Sequence, residues 1–402
     1  MRNNRRTVFF LCLVLFLDAM GVGLILPIMP DLITDLSDLP ISRAAEIGGY
    51  LLFAFAGMQF LFAPFLGALS DKFGRRPVLI FAFTGFALDY FIMALAPSLI
   101  WLFVARIISG LFGATYPTAS AAIVDVTPPE NRAQNFGIIG ASIGLGLISG
   151  PALGGVLGEY GVRLPFVAAG LVTSLAALYG IFFMEETLPP EKRRAFEWRR
   201  ANPLGALLSI ARFPALGAVF AALFCVQLAS QSYNSIWSFF TIEVAGWSPW
   251  QIGVSVAFYG LLMVIVQGFL VGPVVKRIGE ENAVRYSMVV GIVAYLALSF
   301  AGSGNAILVC IFIGGLSGFV FPTLQAILSK RTPDNAQGEL QGAISSSYSL
   351  TAVIGPLVMT QSFSAFTNGS GPYFPGAPFI LSCAFITVSL MIFLVAEKAL
   401  KP

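Results

Sequence analysis

Long apolar segments alternate with short polar stretches along almost the whole chain. The hydrocarbon core of a bilayer is about 30 Å thick, and an α-helix needs roughly 20 apolar residues to cross it. Twelve segments of the chain meet this requirement. They lie near residues 7–28, 46–69, 77–96, 99–124, 134–157, 163–184, 213–241, 250–272, 285–302, 305–328, 339–361 and 377–396. The pattern predicts an all-α membrane protein with twelve transmembrane helices.

The composition agrees with a chain embedded in lipid, since 57% of the 402 residues are hydrophobic and 11% are charged. A soluble domain cannot bury so much apolar surface. With the N-terminus in the cytoplasm, nearly all of the 23 lysines and arginines fall at the termini or in cytoplasmic loops, Arg43 and Arg163 being exceptions. The positive-inside rule therefore predicts that both termini are cytoplasmic. The expected surroundings are a lipid bilayer, and nucleic acid is not an expected partner.

The chain has four cysteines, and all of them lie in predicted spans: Cys12, Cys225, Cys310 and Cys383. Nothing in their spacing indicates a disulfide or a metal site. Histidine is absent from the sequence. We therefore expect no cofactor other than protons as a coupling ion, and we expect carboxylates to carry any proton chemistry.

The chain repeats itself. Residues 110–128 read GLFGATYPTASAAIVDVTP, and residues 315–333 read GLSGFVFPTLQAILSKRTP. Glycine, proline and threonine positions coincide without a gap, so six spans repeat as six more in the same orientation. Parallel repeats of this kind are the plan of a two-bundle secondary transporter. The predicted domains are an N-terminal bundle at 1–184, a cytoplasmic linker at 185–212 and a C-terminal bundle at 213–402.

The N-terminal half carries the charged residues that lie within spans, namely Asp18, Asp89 and Arg106. At 1.5 Å per helical residue, Asp18 and Asp89 lie roughly 16 Å and 18 Å from the cytoplasmic ends of their spans. Gln59 lies at a similar depth, about 15 Å. A charged group at this depth costs at least roughly 2.5–3.5 kcal/mol. One structural ion pair would explain a single Asp and the Arg; the second carboxylate predicts proton coupling or contact with a cationic substrate.

The C-terminal half offers amides and aromatic residues in its spans instead of charges. The candidates for substrate binding are Gln227, Gln231, Asn234, Trp237 and Gln267, beside Gln59 of the first half. For each of the residues of the C-terminal half, the alternative is an ordinary hydrogen bond or packing contact between helices.

A short loop after the second span reads GALSDKFGRRPVL (67–79). It resembles the signature loop of the major facilitator superfamily, with Lys72 where arginine is usual. The matching positions are Gly67, Asp71, Gly74, Arg75 and Arg76. Asp71 can pair with Arg75 or cap the opposite helix, which predicts an inner gate; a basic loop that only fixes topology is the alternative. The repeat copy, GPVVKRIGEEN (272–282), reverses the charges, so we expect this gate in the first half only.

The fifth span contains GASIGLGLISGPALGG (140–155). Glycines and a proline on one helix permit close helix contact and a bend. The segment resembles the G-P-x-x-G-G signature of exporters in the same superfamily, and Gly150 and Pro151 are the candidate gating residues. Ordinary packing of small residues is the alternative.

Together with LDAMGVGLILP in the first span and LDY (88–90) in the third, these motifs resemble the tetracycline-efflux proteins of the drug:proton antiporter branch. The resemblance implies the major facilitator fold, with two six-helix bundles, and a central drug cavity. It implies that this cavity is faced by Asp18, Gln59, Asp89, Gln227, Gln231 and Gln267. It further implies that Asp71 and Arg75 form the gate.

Two positions depart from that family. Well-known tetracycline pumps carry a functional histidine in the eighth span and an aspartate in the ninth, where this chain has Met263 and Gly291. The departure leaves open whether the substrate is tetracycline or another amphipathic compound, and it moves proton coupling to the N-terminal half.

We therefore expect a proton-coupled exporter of lipophilic drugs, a monomer in a bacterial inner membrane. A facilitator or importer of a native metabolite is the alternative within the same class. A receptor or scaffold would not explain the midplane charges. No nucleophile–base pair or phosphate loop in the sequence indicates an enzyme.

Overall fold

The computed structural model describes residues 2–113, 115–127, 132–196, 216–333 and 336–400. Regular structure among these residues is helical, as predicted. The α-helices are α1 (Arg2–Ile25), α2 (Met29–Ser37), α3 (Ile41–Phe73), α4 (Arg75–Leu95), α5 (Leu99–Leu111), α6 (Thr115–Val126), α7 (Arg132–Tyr160), α8 (Leu164–Phe183), α9 (Gly217–Ala245), α10 (Pro249–Ile265), α11 (Val271–Ile278), α12 (Glu280–Ser299), α13 (Gly304–Leu316), α14 (Val320–Lys330), α15 (Gln337–Ala365) and α16 (Ala377–Leu400). A π-helix at Val266–Leu270 joins α10 to α11.

Eleven stretches of helix among the described residues are long and apolar enough to cross a membrane. Three of them combine consecutive helices: α5 with α6, α10 with α11, and α13 with α14. Helix α9 covers most of the remaining predicted span; it carries Gln227, Gln231 and Asn234 and is not among the eleven. The predicted all-α membrane class is therefore confirmed.

The chain divides into two compact units. Unit 1 comprises Met1–Asp38, Ala54–Pro203 and Pro249–Ala257. Unit 2 comprises Leu39–Phe53, Leu204–Ser248 and Phe258–Pro402. The N-terminal part of α3 thus groups with unit 2, and the start of α10 groups with unit 1. The bundle boundaries drawn from the repeat stay a prediction, and residues 197–212 of the predicted linker lie outside the described residues.

Helix α1 is central to unit 1, and it packs most extensively against α7. Three glycines spaced four residues apart on α7 make the close approach possible: Gly146, Gly150 and Gly154. A Cβ atom at any of them would overlap a backbone carbonyl oxygen of α1, from Phe16, Met20 and Leu24 respectively. Since lipid offers no hydrophobic driving force between helices, this backbone-to-backbone fit is what holds α1 in place. It fixes the helix that carries Asp18.

Two spans are broken at equivalent positions of the repeat. Helix α5 ends with a tight turn in which Gly113 N donates to Gly110 O at 3.2 Å, before α6 begins. Helix α13 ends in the same way, with Gly318 N donating to Gly315 O at 3.1 Å. Glycine permits both the turn and the close contact with a neighbouring helix. The breaks therefore reproduce the sequence repeat in the backbone.

Candidate functional site

Asp89 on α4 and Arg106 on α5 form a buried ion pair in unit 1 through Arg106 Nη2 and Asp89 Oδ2. Asp89 is 0% exposed and Arg106 is 7% exposed. The guanidinium also approaches Met93 Sδ at 2.9 Å and lies 5.7 Å from the centre of the Phe55 ring. The structure therefore brings together two of the three charged residues predicted within spans, and their charges neutralise each other.

Asp18 on α1 is the third of the charged residues predicted within spans, and it is partly buried. Among the described residues no hydrogen bond or ion pair reaches its carboxylate. Tyr90, the neighbour of Asp89, interacts electrostatically with both carboxylates. Its hydroxyl occupies the space that a side chain at Gly21 would need, one turn beyond Asp18. Asp18, Asp89 and Arg106 thus all lie within electrostatic range of the Tyr90 hydroxyl, and we treat them as one polar region of unit 1.

Gln59 on α3 binds backbone rather than a carboxylate. Its Nε2 donates to Gly113 O at 2.9 Å, at the break between α5 and α6. The Gly113 carbonyl lies in the helix break, where it does not accept the usual helical hydrogen bond from the N–H group four residues later. In this structure the Gln59 amide therefore links α3 to the break by a hydrogen bond between helices, and its role in substrate binding stays a prediction.

The predicted gate pair is present, and it is part of a larger network. Asp71 accepts a hydrogen bond from Arg75 Nη1, which also donates to Ser70 Oγ at 2.7 Å. Arg75 Nε donates to Asp125 Oδ2 at 3.1 Å. Arg75 is only 7% exposed, and two carboxylates compensate its charge.

Glu186 is a member of this network that sequence analysis missed. Its carboxylate accepts from the backbone N–H groups of Arg75 and Arg76 at 2.8 Å and 3.2 Å. It also accepts from Thr187 N and Leu188 N. A carboxylate at the first turn of a helix satisfies free N–H groups and complements the helix dipole. Gly74, with φ of 109°, has no side chain that would collide with the Glu186 carboxylate.

A charge-reversed copy of part of this network lies in unit 2. The repeat aligns Arg75 with Glu280 and Asp125 with Lys330, and Lys330 Nζ forms an ion pair with Glu280 Oε1. The described residues show no ion pair between Lys276 and Glu280, the positions that align with Asp71 and Arg75. Among the described residues the Asp71–Arg75 contact therefore has no counterpart in unit 2, whereas the Arg75–Asp125 contact has an inverted one. The expectation of a gate in the first half only stays a prediction.

Gly150 and Pro151 lie where α7 contacts two other helices of unit 1. Gly150 packs against α1, and the Pro151 ring lies against Gly23. On another side, the Pro151 carbonyl oxygen faces Gly253 near the start of α10, closely enough that a Cβ atom there would overlap it. Helix α7 continues through Pro151. The motif thus provides close packing on two faces, and its gating role stays a prediction.

Unit 2 contains a cavity of about 280 Å³, here called the unit 2 cavity. It is lined by Val226, Gln227, Ser230, Tyr259, Met263, Gln267, Ser287, Met288, Gly291, Tyr295, Ser317, Gly318, Val320, Phe321, Tyr348 and Ile386. Gln227 and Gln267 were predicted to bind substrate, and both line it. So do Met263 and Gly291, the two positions that depart from the tetracycline pumps.

The other predicted contacts on α9 lie away from this lining. Gln231 is 3% exposed and packs against Gly355 of α15. Trp237 is 3% exposed and belongs to an aromatic cluster, with its ring centroid 5.5 Å from that of Tyr233. Asn234 is exposed. Their roles in substrate binding stay predictions.

Sequence analysis missed the tyrosines of the unit 2 cavity. Tyr259 stacks on Tyr233 with ring centroids 5.1 Å apart, and Tyr295 lies 5.5 Å from Tyr233. Tyr348 lines the cavity from α15. The available signal was a tyrosine in the middle of an apolar span, where a polar hydroxyl has to find a partner or face a cavity.

The family model described as Major Facilitator Superfamily matches residues 11–356. The chain belongs to the major facilitator superfamily. Its similarity to the tetracycline resistance protein of class C from Escherichia coli is 38% identity over 387 residues, covering 95% of this chain and 96% of that protein. The class B protein from Escherichia coli is 34% identical, with 94% and 92% covered. Multidrug resistance protein 2 of Bacillus subtilis is 28% identical, with 88% of each covered. The predicted family resemblance is confirmed.

Solved structures support the fold of this superfamily member. A bacterial homologue of the human lysosomal transporter Spinster, in an inward-facing and unoccupied conformation, gives a TM-score of 0.81 at 16% identity, with 98% of this chain and 97% of that chain covered. The human organic anion transporter MFSD10 gives 0.72 at 24% identity, with 97% and 99% covered. At these identities the likeness concerns the fold alone.

Proposed function

We propose that this chain exports an amphipathic drug from the cytoplasm in exchange for protons. The observation that carries the proposal is the polar region of unit 1, in which Tyr90 interacts electrostatically both with Asp18 and with Asp89, the partner of Arg106. Relatives named as tetracycline resistance and multidrug resistance proteins support drug export as the activity. Tetracycline is the first substrate to test, and another amphipathic aromatic compound is the alternative.

The proton is carried by the carboxylates of this polar region. Asp89 and Arg106 neutralise each other, which leaves the charge of Asp18 without a described partner. An uncompensated charge in the hydrocarbon region costs at least roughly 2.5–3.5 kcal/mol, and a bound proton or a cationic drug removes that cost. The proton and the drug compete for Asp18, so that binding of the drug releases the proton and binding of the proton releases the drug. This competition exchanges drug for protons. Protonation of Asp89 frees Arg106, so that the pair can respond to the same step.

Most of the candidate drug contacts lie in the C-terminal half. Gln227 and Gln267 line the unit 2 cavity, which supports a role for both in binding. Gln59, Gln231, Asn234 and Trp237 are further candidate contacts. Asp71 and Arg75 act as the inner gate, and the buried network around Arg75 supports that role because it can exist only while the loop holds its present conformation. Gly150 and Pro151 are the candidate gating residues on α7.

The protein resides in a bacterial inner membrane with both termini in the cytoplasm, and it works as a monomer. The distribution of lysine and arginine supports this orientation. Its partners are the bilayer, protons and one small amphipathic molecule.

Everted vesicles with an acidic lumen and a lumenal pH dye test the exchange. Addition of tetracycline, and then of a panel of lipophilic cations, should release lumenal protons from vesicles that contain the wild-type chain. Asp18→Asn and Asp89→Asn should each abolish the release. Asp35→Asn is the matched control, because Asp35 is an exposed aspartate of α2, and it should release protons at the wild-type rate.

Proton release that persists in both Asp18→Asn and Asp89→Asn would place coupling elsewhere in the chain. If the folded wild-type protein releases no lumenal protons with any compound of the panel, drug exchange is rejected and a facilitator of a metabolite is favoured.

A further inference from the structure

The unit 2 cavity has no charged side chain in its described lining. Its polar groups belong to two glutamines, three serines and three tyrosines. A cation or anion bound there would lose water without gaining an opposite charge, which is costly. The lining is therefore suited to an uncharged group.

Several hydroxyls of the lining already donate to backbone carbonyls. Ser230, Ser287 and Ser317 do so at 2.6–2.7 Å. The Tyr295 hydroxyl donates to Ala229 O at 3.3 Å. These four donors are satisfied within the protein and do not need a ligand.

Gln227 differs from them because one end of its amide is satisfied and the other is not. Its side chain is almost fully buried, at 2% exposed. The Oε1 atom accepts a hydrogen bond from Ser347 Oγ at 2.7 Å, and Ser347 is itself 3% exposed. The Nε2 atom is buried without a hydrogen-bond partner among the described residues. Since Ser347 holds the oxygen, the NH₂ group is left as the end that is free to donate.

We infer that the unit 2 cavity binds an uncharged aromatic part of the substrate that carries a carbonyl or similar oxygen, and that Gln227 Nε2 is the donor that selects this oxygen. The inference rests on the proposed function, because it treats the cavity as part of the drug site. Tyr259 and Tyr295 contribute aromatic rings to the lining, and an aromatic ligand can pack against such rings either stacked or edge to face. A ligand oxygen at Nε2 satisfies the buried donor, whereas a ligand without an acceptor leaves it unpaired.

Ser347 is then a positioning residue. It does not line the cavity, and it acts by fixing which end of the Gln227 amide is a donor. Without its hydroxyl the amide can turn over and present Oε1 to the ligand. The selectivity for an oxygen acceptor should therefore depend on a residue that does not itself line the cavity.

Three probes of similar size separate these possibilities: 9-fluorenone, fluorene and the N-methylacridinium cation. Fluorenone and fluorene have the same ring system, and only fluorenone carries a carbonyl oxygen. Their dissociation constants are measured by titration calorimetry on the purified full-length protein in detergent. Because partition into detergent is the same for every variant, a change in the fluorenone-to-fluorene ratio reports on the protein.

The wild-type protein should bind fluorenone about tenfold more tightly than fluorene, as one satisfied hydrogen bond predicts. Gln227→Met should remove this preference and leave fluorene affinity nearly unchanged. Ser347→Ala should reduce the preference while the fold is retained. Gln325→Met is the matched control, because Gln325 is a glutamine outside the cavity bonded to Gln341, and it should keep the tenfold ratio.

A ratio that is the same in wild type and Gln227→Met would overturn the inference. So would tighter binding of N-methylacridinium than of fluorenone, which would make the cavity a cation site. Tetracycline-driven proton release without carbonyl selectivity would reject this subsite and leave the proposed function intact. Carbonyl selectivity without proton release by any compound would support this subsite and reject the proposed function.

Discussion

Replacement of Gly150 by alanine tests whether the contact between α7 and α1 depends on the absence of side chains. A Cβ atom at Gly150 would overlap Met20 O and lie 3.1 Å from Gly23 Cα. To restore a carbon–oxygen contact of about 3.3 Å, the two helices must separate by about 1 Å. Gly140, on the same helix, has open space around the corresponding position. Gly140→Ala is therefore the matched control.

The two substitutions share one effect and differ in another. Each removes a glycine from a helix, which favours folding by up to about 1 kcal/mol. Gly150→Ala adds the cost of overpacking, about 1–3 kcal/mol. A gap of 0.5–1 Å between packed atoms also forfeits a quarter to a half of their dispersion energy. The difference between the two variants isolates the overpacking cost, so Gly150→Ala should be about 1–3 kcal/mol less stable than Gly140→Ala.

Thermal unfolding of the purified protein in one detergent, followed by far-UV circular dichroism, gives the comparison. Gly150→Ala should melt several degrees below Gly140→Ala, and drug-driven proton release should fall as well, because α1 carries Asp18. Equal melting temperatures for the two variants would refute the claim that bare backbone contact holds α1 against α7.

Three further predictions concern charged groups. Arg106→Met leaves Asp89 buried without its partner and should lower the free energy of unfolding by about 3–5 kcal/mol. The double variant with Asp89→Asn should regain most of this stability. Chemical unfolding in mixed micelles measures the free energy of unfolding of both variants. Glu186→Ala removes the cap of α4 and should cost about 0.5–2 kcal/mol, seen as a lower melting temperature. Burial and the charge of Glu159 raise the pKa of Asp31 above 3.8, so Asp31 favours the folded state at low pH and loses this contribution as pH rises through the raised pKa. Asp31→Asn should therefore raise the melting temperature at pH 8 and change it little at pH 4.

Each of these predictions has a control on the same chain. Glu191→Ala, at an exposed site in the linker, should leave the melting temperature unchanged, and an equal loss there would remove the capping argument. Asp35→Asn, also on α2, is the matched control for Asp31→Asn. An Asp89→Asn, Arg106→Met double variant as unstable as Arg106→Met alone would show that the penalty does not come from an unpaired carboxylate.

The sequence predicts the intramembrane features that arise from one helix at a time. The depth of Asp89 and Arg106 follows from helical rise, and their cost in lipid makes pairing the expected outcome. The glycines of α7 likewise predict a close contact, although the sequence does not identify α1 as the partner. Local composition carries this information because lipid penalises every unpaired polar group in the same way.

Contacts between distant segments could not be predicted in this way. Glu186 follows the sixth span, and nothing in its neighbourhood shows that it caps the helix that begins at Arg75. The inverted Glu280–Lys330 pair requires two segments of unit 2 to meet, and the charge reversal by itself indicated a lost contact. Ser347 holds Gln227 from another helix, so the orientation of that amide depends on tertiary packing.

The most direct test of the account is uptake of radiolabelled tetracycline by proteoliposomes that contain only this protein. The lumen is acidic, the outside is neutral, and tetracycline starts at equal concentration on both sides. We predict accumulation in the lumen to well above the outside concentration, lost when an ionophore collapses the pH gradient and lost in Asp18→Asn. A lumenal concentration that stays equal to the outside concentration, with and without the pH gradient, would contradict proton-coupled export of this drug.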